Sequence, residues 1–368
     1  MHRSLLSAAL SLSLLFSALV AAHAVSSTFR VLGGSDGVVQ AATLTVANNG
    51  LDSDTCGSSA APCRSISQAI AHAREGDTLV VGPGRYGDLN GNRILGEVGE
   101  EPAAFGGRCD SCMIHLNKRL TLKSSDGAAV TVIDAGGVEI RAVLIEADEV
   151  VFGGRDQGFT IANAGSTGFV VQNASHVTVV GNLALHNGLN QNSGFSINGS
   201  GHTIRDNIAL GNIRAGFHIG GSGHTVSDNV ASGNTWGFEV SFSGQFTGNI
   251  ASGNGDVGGI NINAGVLEFH HNAVIGNGGV GIVVFGQDAT MTDNNIFGNG
   301  TTGSNCGVLN VSGIMLTVPN NFWGAASGPG PDPADAIGEA CVGSGHPDPI
   351  LVDPVATKPF TISVKSGL

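Results

Sequence analysis

The chain has 368 residues, a formal net charge of −13 and charged side chains at only 12% of positions. Such a surface offers no basic stripe to a phosphate backbone, which argues against a nucleic-acid partner. It also repels polyanionic glycans unless a local basic cluster or a bound Ca2+ offsets the charge. The 58 glycines occur with little low-complexity sequence and so point to tight turns rather than disorder.

Residues 1–24 read as a signal peptide: a short basic start (His2, Arg3), an apolar run from Leu5 to Val20, and Ala22-His23-Ala24 as a small-residue cleavage site. No second apolar stretch of that length follows, so no membrane span is expected. Export and six cysteines together predict a secreted, oxidised chain, extracellular or periplasmic. Cys56–Cys63 and Cys306–Cys341 are the favoured pairs because each brackets a Gly/Pro-rich loop, which leaves Cys109 with Cys112. A redox or metal role for that last pair is the competing reading.

Residues 25–45 are expected to be an extended lead-in to a single domain spanning 46–350, of which 46–90 form an N-terminal cap. Ser65 as N-cap with Gln68 three positions on resembles a capping box. Ile66, Ala69, Ile70 and Ala73 then share one face of a short helix that Gly76 ends. A helix there would cover the open apolar end of a stacked structure. Thr78–Val81 reads as a strand and residues 91–117 as a long loop. Leu120–Asp134 and Val143–Thr160 supply early, irregular coils. Residues 320–350, rich in Gly and Pro, are expected to wrap the far end, and 351–368 form a tail.

Between 159 and 320 the chain repeats itself about every 22 residues. Gly followed by a large apolar residue recurs at Gly168-Phe169, Gly194-Phe195, Gly216-Phe217, Gly237-Phe238, Gly259-Ile260, Gly281-Ile282 and, after an insertion, Gly313-Ile314. One Asn recurs at 182, 207, 229, 249, 272 and 294, and a second five positions later at 187, 212, 234, 254, 277 and 299. Short alternating segments at this period predict stacked strand-and-turn units. The fold expected is all-β: a right-handed parallel β-helix with a short N-terminal capping helix. Like residues then stack roughly 4.8 Å apart, with the Phe/Ile file inside. The asparagines are expected at the turns, where Asn tolerates left-handed backbone and amides bond along the axis.

These features resemble the parallel β-helix repeat proteins of the pectin-lyase-like superfamily. The likeness is carried by the head, Ala47-Asn48-Asn49-Gly50-Leu51-Asp52 through Pro83-Gly84-Arg85-Tyr86, by the central repeat, and by Asn320-Asn321-Phe322-Trp323-Gly324 with Ser327-Gly328-Pro329. The resemblance implies a domain acting on or binding polysaccharide, since the superfamily holds lyases, hydrolases, epimerases and esterases as well as non-catalytic surface proteins. The paired-Asp hydrolase motif of that group is missing, and so is its Asp-rich Ca2+ signature followed by a catalytic Arg or Lys.

Outward positions stack as well. The x of each Gly-Φ-x-Φ unit runs Val170, Ser196, His218, Glu239, Asn261, Val283, and two positions on runs Gln172, Asn198, Gly220, Ser241, Asn263, Phe285. Arg214, Trp236 and Asp256 lie just before the polar part. A titratable pair, a cation, amides and an aromatic platform suit a glycan. The competing reading is an ordinary solvated face. For β-elimination on a uronate, His218 is the base, with Arg214 and Asn261 on the carboxylate and Ca2+ as an optional bridge to Glu239. For hydrolysis, Glu239 and Asp256 are the carboxylate pair. Asn198, Asn263, Ser241 and Trp236 complete the binding set, and a monomer is expected. His202 and His224, each followed by an Asp (206, 228), are either a transition-metal site or a product of repeat duplication. The latter is favoured, so no metal ligand is assigned.

Overall fold

The computed structural model describes residues 40–102, 109, 111–189, 192–265, 267–286, 289–300, 305–342 and 347–362. The assigned signal peptide and most of the lead-in lie outside them. The end of the lead-in belongs to the first strand, Thr43–Val46, which pairs in parallel with Thr78–Val81.

The expected parallel β-helix is what forms. Each central coil contributes two strand segments to an 18-stranded parallel sheet and one to a 9-stranded parallel sheet. In one coil these are the long, bent strand Ala215–Ser227 and the short strand Val230–Ser232. Register fixes the interior. Phe169 pairs with Phe195, Phe195 with Phe217, Phe217 with Phe238, Phe238 with Ile260 and Ile260 with Ile282. All six are buried, and the Phe195, Phe217 and Phe238 rings stack at 4.8 and 4.9 Å. Aromatic side chains piled this way bury large areas at small entropic cost.

The file does not continue to Gly313-Ile314. Ile282 pairs with Val308, so Gly307-Val308 takes that place, and Ile314 is 38% exposed. The insertion leaves as an outward loop, whose Val311, Ile314 and Met315 are all exposed.

The two asparagine files are buried ladders. Each Asn backbone N–H and side-chain Nδ2–H₂ donates to the Oδ1 of the Asn one coil on, as in Asn207 to Asn229 (3.0 and 3.0 Å) and Asn212 to Asn234 (2.9 and 2.9 Å). One ladder ends on Asn321 and the other on Asp335. The left-handed backbone expected at these asparagines lies one residue earlier. Asp206, Asp228, His271, Asp293 and Asn320 have φ of 54–59° and precede the first file; His186, Gly211 and Gly233 have φ of 52–64° and precede the second. The residue before turns the chain, so Asn keeps ordinary backbone and points its amide inward.

Two local expectations fail in detail. Ser65 caps the helix Ile66–His72 by accepting from Gln68 N (3.1 Å), but the Gln68 side chain goes to His72 and Ser53. Asp52 takes the Ser65 N–H instead (2.9 Å), and the helix closes at Ala73, before Gly76. At its two ends the buried Glu101 carboxylate accepts from Ser67 N, and Lys118 Nζ donates to Ile70 O and Ala73 O. Within the expected loop 91–117, Cys112–Leu116 is a strand paired with Arg141–Ile145. Disulfides join Cys56–Cys63, Cys109–Cys112 and Cys306–Cys341. The paired sulfurs of Cys109 and Cys112 are therefore not thiolate ligands here.

The tail is partly packed. Asn295 accepts from Phe360 N (2.9 Å) and donates to Phe360 O (2.8 Å), which fastens the tail to the coil.

Candidate functional site

The outward file forms in register: His115, Leu144, Val170, Ser196, His218, Glu239, Asn261, Val283, Leu309. Its polar stretch is bounded on one side by Leu144 and Val170, which are buried with Cys109 and Cys112. On the other side stands Val283, 6% exposed. His218, Glu239 and Asn261 therefore stand on three consecutive coils, as expected.

Arg214 sits on the corner preceding the His218 strand, and its Nη2 donates to Glu239 Oε1 at 3.0 Å. Arg214 is thus the carboxylate's partner, with its side chain still 46% exposed. Burial holds the His218 imidazole below its ordinary pKa; the Arg214 charge lowers it further, and the Glu239 carboxylate opposes both. His218 is therefore unprotonated near neutral pH and able to accept a proton. Glu239 Oε2 and Asn261 Oδ1 are buried without a hydrogen-bond partner among the described residues. Two neighbouring polar groups left incomplete are uncommon in a purely structural face.

The remaining residues divide. Trp236 is half-buried, its ring over Gly258. Asn198, Gly220 and Ser241 stack in register, but a bulge pairs Ser241 with Ala264 and throws Asn263 out of the file. Gln172 likewise lies in a bulge between Val171 and Ala174. A bulge places an extra residue opposite one partner, which hydrophobic periodicity alone does not reveal. Asp256 is exposed on the turn before Gly258.

Sequence reasoning missed a network on the preceding coils. His115 Nε2 lies 3.0 Å from Glu146 Oε2, while Gln172 and Asn173 donate to Glu146 Oε1. These hydrogen bonds and the imidazole outweigh burial and hold the Glu146 carboxyl below its ordinary range. Alongside, an open cavity of about 500 Å³ is lined by Asp148, Asn173, Ser175, Asn198 and Ser200 among others. The coil at Val143 lacks the Gly-Φ signal, so only the register links it to the site.

His202 and His224 form a third ladder, which removes the metal reading. Their rings stack at 4.8 Å. His202 Nδ1 accepts from Val177 N and His224 Nδ1 from His202 N, each at 3.1 Å, and the Nε2 atoms face Asn198 O and Gly220 O. Both nitrogens of each ring are committed to backbone, and Asp206 is paired with Arg205.

A family profile described as the right handed beta helix region matches residues 193–322. The A-module of mannuronan C-5 epimerase AlgE4 from Azotobacter vinelandii resembles the chain with a TM-score of 0.46 and 18% identity, covering 78% of this chain and 91% of that one. The AlgE6 A-module of the same organism gives 0.35 and 18%, with 80% and 95% covered. No curated protein sequence matches. At this identity the likeness concerns the fold alone.

Proposed function

We propose that this right-handed parallel β-helix protein is exported and binds an acidic polysaccharide across Ser196, His218, Glu239 and Asn261, cleaving it by β-elimination. The observation that carries this reading is His218 stacked in register with Glu239 and Asn261 beside the Arg214–Glu239 ion pair, on a polar strip with apolar ends. His218 takes the proton α to the uronate carboxylate. The released electron pair forms the carbon–carbon double bond and expels from the β carbon the glycosidic oxygen, which takes up a proton from water. The exposed Arg214 side chain meets the substrate carboxylate. Its bond to Glu239 answers the repulsion that a bare glutamate would exert, so a bridging Ca2+ is not required. Trp236 and Asn198 extend the contact surface along the chain.

Incubation with acidic polysaccharides, with and without Ca2+, is expected to raise the absorbance of unsaturated ends. His218→Gln should lower the turnover about a hundredfold with little change in affinity. Trp236→Ala should weaken binding about tenfold. Turnover that survives His218→Gln removes the base assignment. Saturable binding without unsaturated products, weakened by Trp236→Ala, replaces the lyase with a non-catalytic glycan-binding protein. Hydrolysis by Glu239 and Asp256 is the weaker reading, because Asp256 stands outside the strip on an exposed turn.

A further inference from the structure

Far from the strip, residues 88–101 hold four carboxylates and one cation: Asp88, Glu97, Glu100 and Glu101 against Arg93. Glu101 is committed to the helix start, where it accepts from Ser67. The other three have no ion-pair contact among the described residues. Arg64 passes Gly99, but its guanidinium stacks on Tyr86 at 5.4 Å and donates to Arg85 O.

Asp88 is fully buried and Glu100 is 6% exposed. Both carboxylates serve the same turn. Asp88 accepts from Gly91 N (2.7 Å) and Arg93 N (2.8 Å), and Glu100 Oε1 accepts from Leu89 N (2.9 Å). Glu100 Oε2, on the same carboxyl, is buried with no hydrogen-bond partner among the described residues. An unmet buried carboxylate oxygen, on a turn that also holds a second buried carboxylate, is costly unless positive charge arrives from outside. Ile94, on the same turn, is 57% exposed, so the turn lies at the surface.

We propose that the Asp88–Glu100 turn binds a hard divalent cation, Ca2+, with Glu100 Oε2 and Asp88 as its charged ligands. Ca2+ takes six to eight oxygens and accepts carboxylates, amide oxygens, carbonyls and waters in irregular geometry. The side-chain oxygens of Asn90 and Asn92 and the carbonyls of the turn are of that kind. Mg2+ demands stricter octahedral geometry and is reluctant to lose water, so it is the weaker occupant. The site is independent of the polysaccharide reading.

The test uses the full chain, stripped with chelator and titrated with CaCl2 by calorimetry. One Ca2+ per chain is expected, with affinity at least about tenfold weaker in Glu100→Gln and unchanged in His218→Gln. Hydrogen exchange of residues 88–101 in the unmutated protein should slow on adding CaCl2 and less on adding MgCl2, a readout that does not depend on a variant folding. Absence of Ca2+ binding, binding undiminished in Glu100→Gln, or exchange unaltered by CaCl2 overturns the proposal. Loss of binding in His218→Gln instead would move the cation to the strip.

Discussion

Asn234→Ala is expected to lower the unfolding free energy by about 4 kcal/mol. The Asn234 Oδ1 accepts from Asn212 N and Nδ2, and its Nδ2 donates to Ala209 O, Ser232 O and Asn254 Oδ1, all within 2.9–3.1 Å. Alanine leaves these groups unmet inside a coil where Asn234 is 2% exposed, and each unmet buried group costs about 1–3 kcal/mol. The ladder's end makes the prediction sharper. Asp335 only accepts there, from Asn299 N and Nδ2, so an acid suffices. In the interior the same acid would face three acceptors with no proton to give. Asn234→Asp should therefore cost at least as much as Asn234→Ala, while Asn263→Ala, at an exposed position with ordinary backbone, should stay within about 0.5 kcal/mol. Urea unfolding followed by far-ultraviolet circular dichroism measures all three. An Asn234→Asp variant as stable as the parent would mean that the ladder contributes shape and not hydrogen bonding.

The same ladders mark what was legible in the chain. Recurrence at a fixed period exposed the internal Phe file, both Asn files and the outward His218–Glu239–Asn261 file, because a parallel stack converts period directly into contact. The features that escaped are those that break the period. Ile314 has the right residue type but the wrong register: strand pairing at Val308 had already used that coil, and the surplus chain left as a loop. Asn263 and Gln172 fall in bulges, and a bulge is decided by backbone pairing on neighbouring coils. The strand Cys112–Leu116 has a mostly buried pattern with no alternation to betray it. Left-handed turns were assigned to Asn, whose propensity is real, yet the residue before it does the turning. In the site, the residues of the strip were readable, whereas the Arg214–Glu239 pairing depends on how far a corner side chain reaches.

Stability should fall as the pH drops from about 6.5 towards 4, and the buried histidine ladder should be the main reason. Burial is the largest cause lowering His202, whose pKa falls from 6.5 to about 4, and His224 also lies below its ordinary value by burial. Each ring accepts a backbone N–H at Nδ1, an arrangement a protonated ring cannot keep. His176 and the Asp148 carboxylate face His202 with opposite and smaller effects. The unfolded chain takes up protons near 6.5 while the folded chain resists until about 4, so the unfolded state binds more protons across that window. The contribution is whole above the unfolded pKa and is lost as the pH falls; His202 alone accounts for about 2 kcal/mol, discounted for partial solvation. Asp335 and Glu101, both raised by burial, act in the opposite direction, so the comparison must be made against a variant. His202→Asn with His224→Asn keeps an acceptor for the backbone N–H without a titrating ring. Melting temperature against pH should then slope less steeply between 6.5 and 4 than in the parent. Parallel curves for the two proteins would place the acid sensitivity elsewhere, with His218, also held low, the next group to replace.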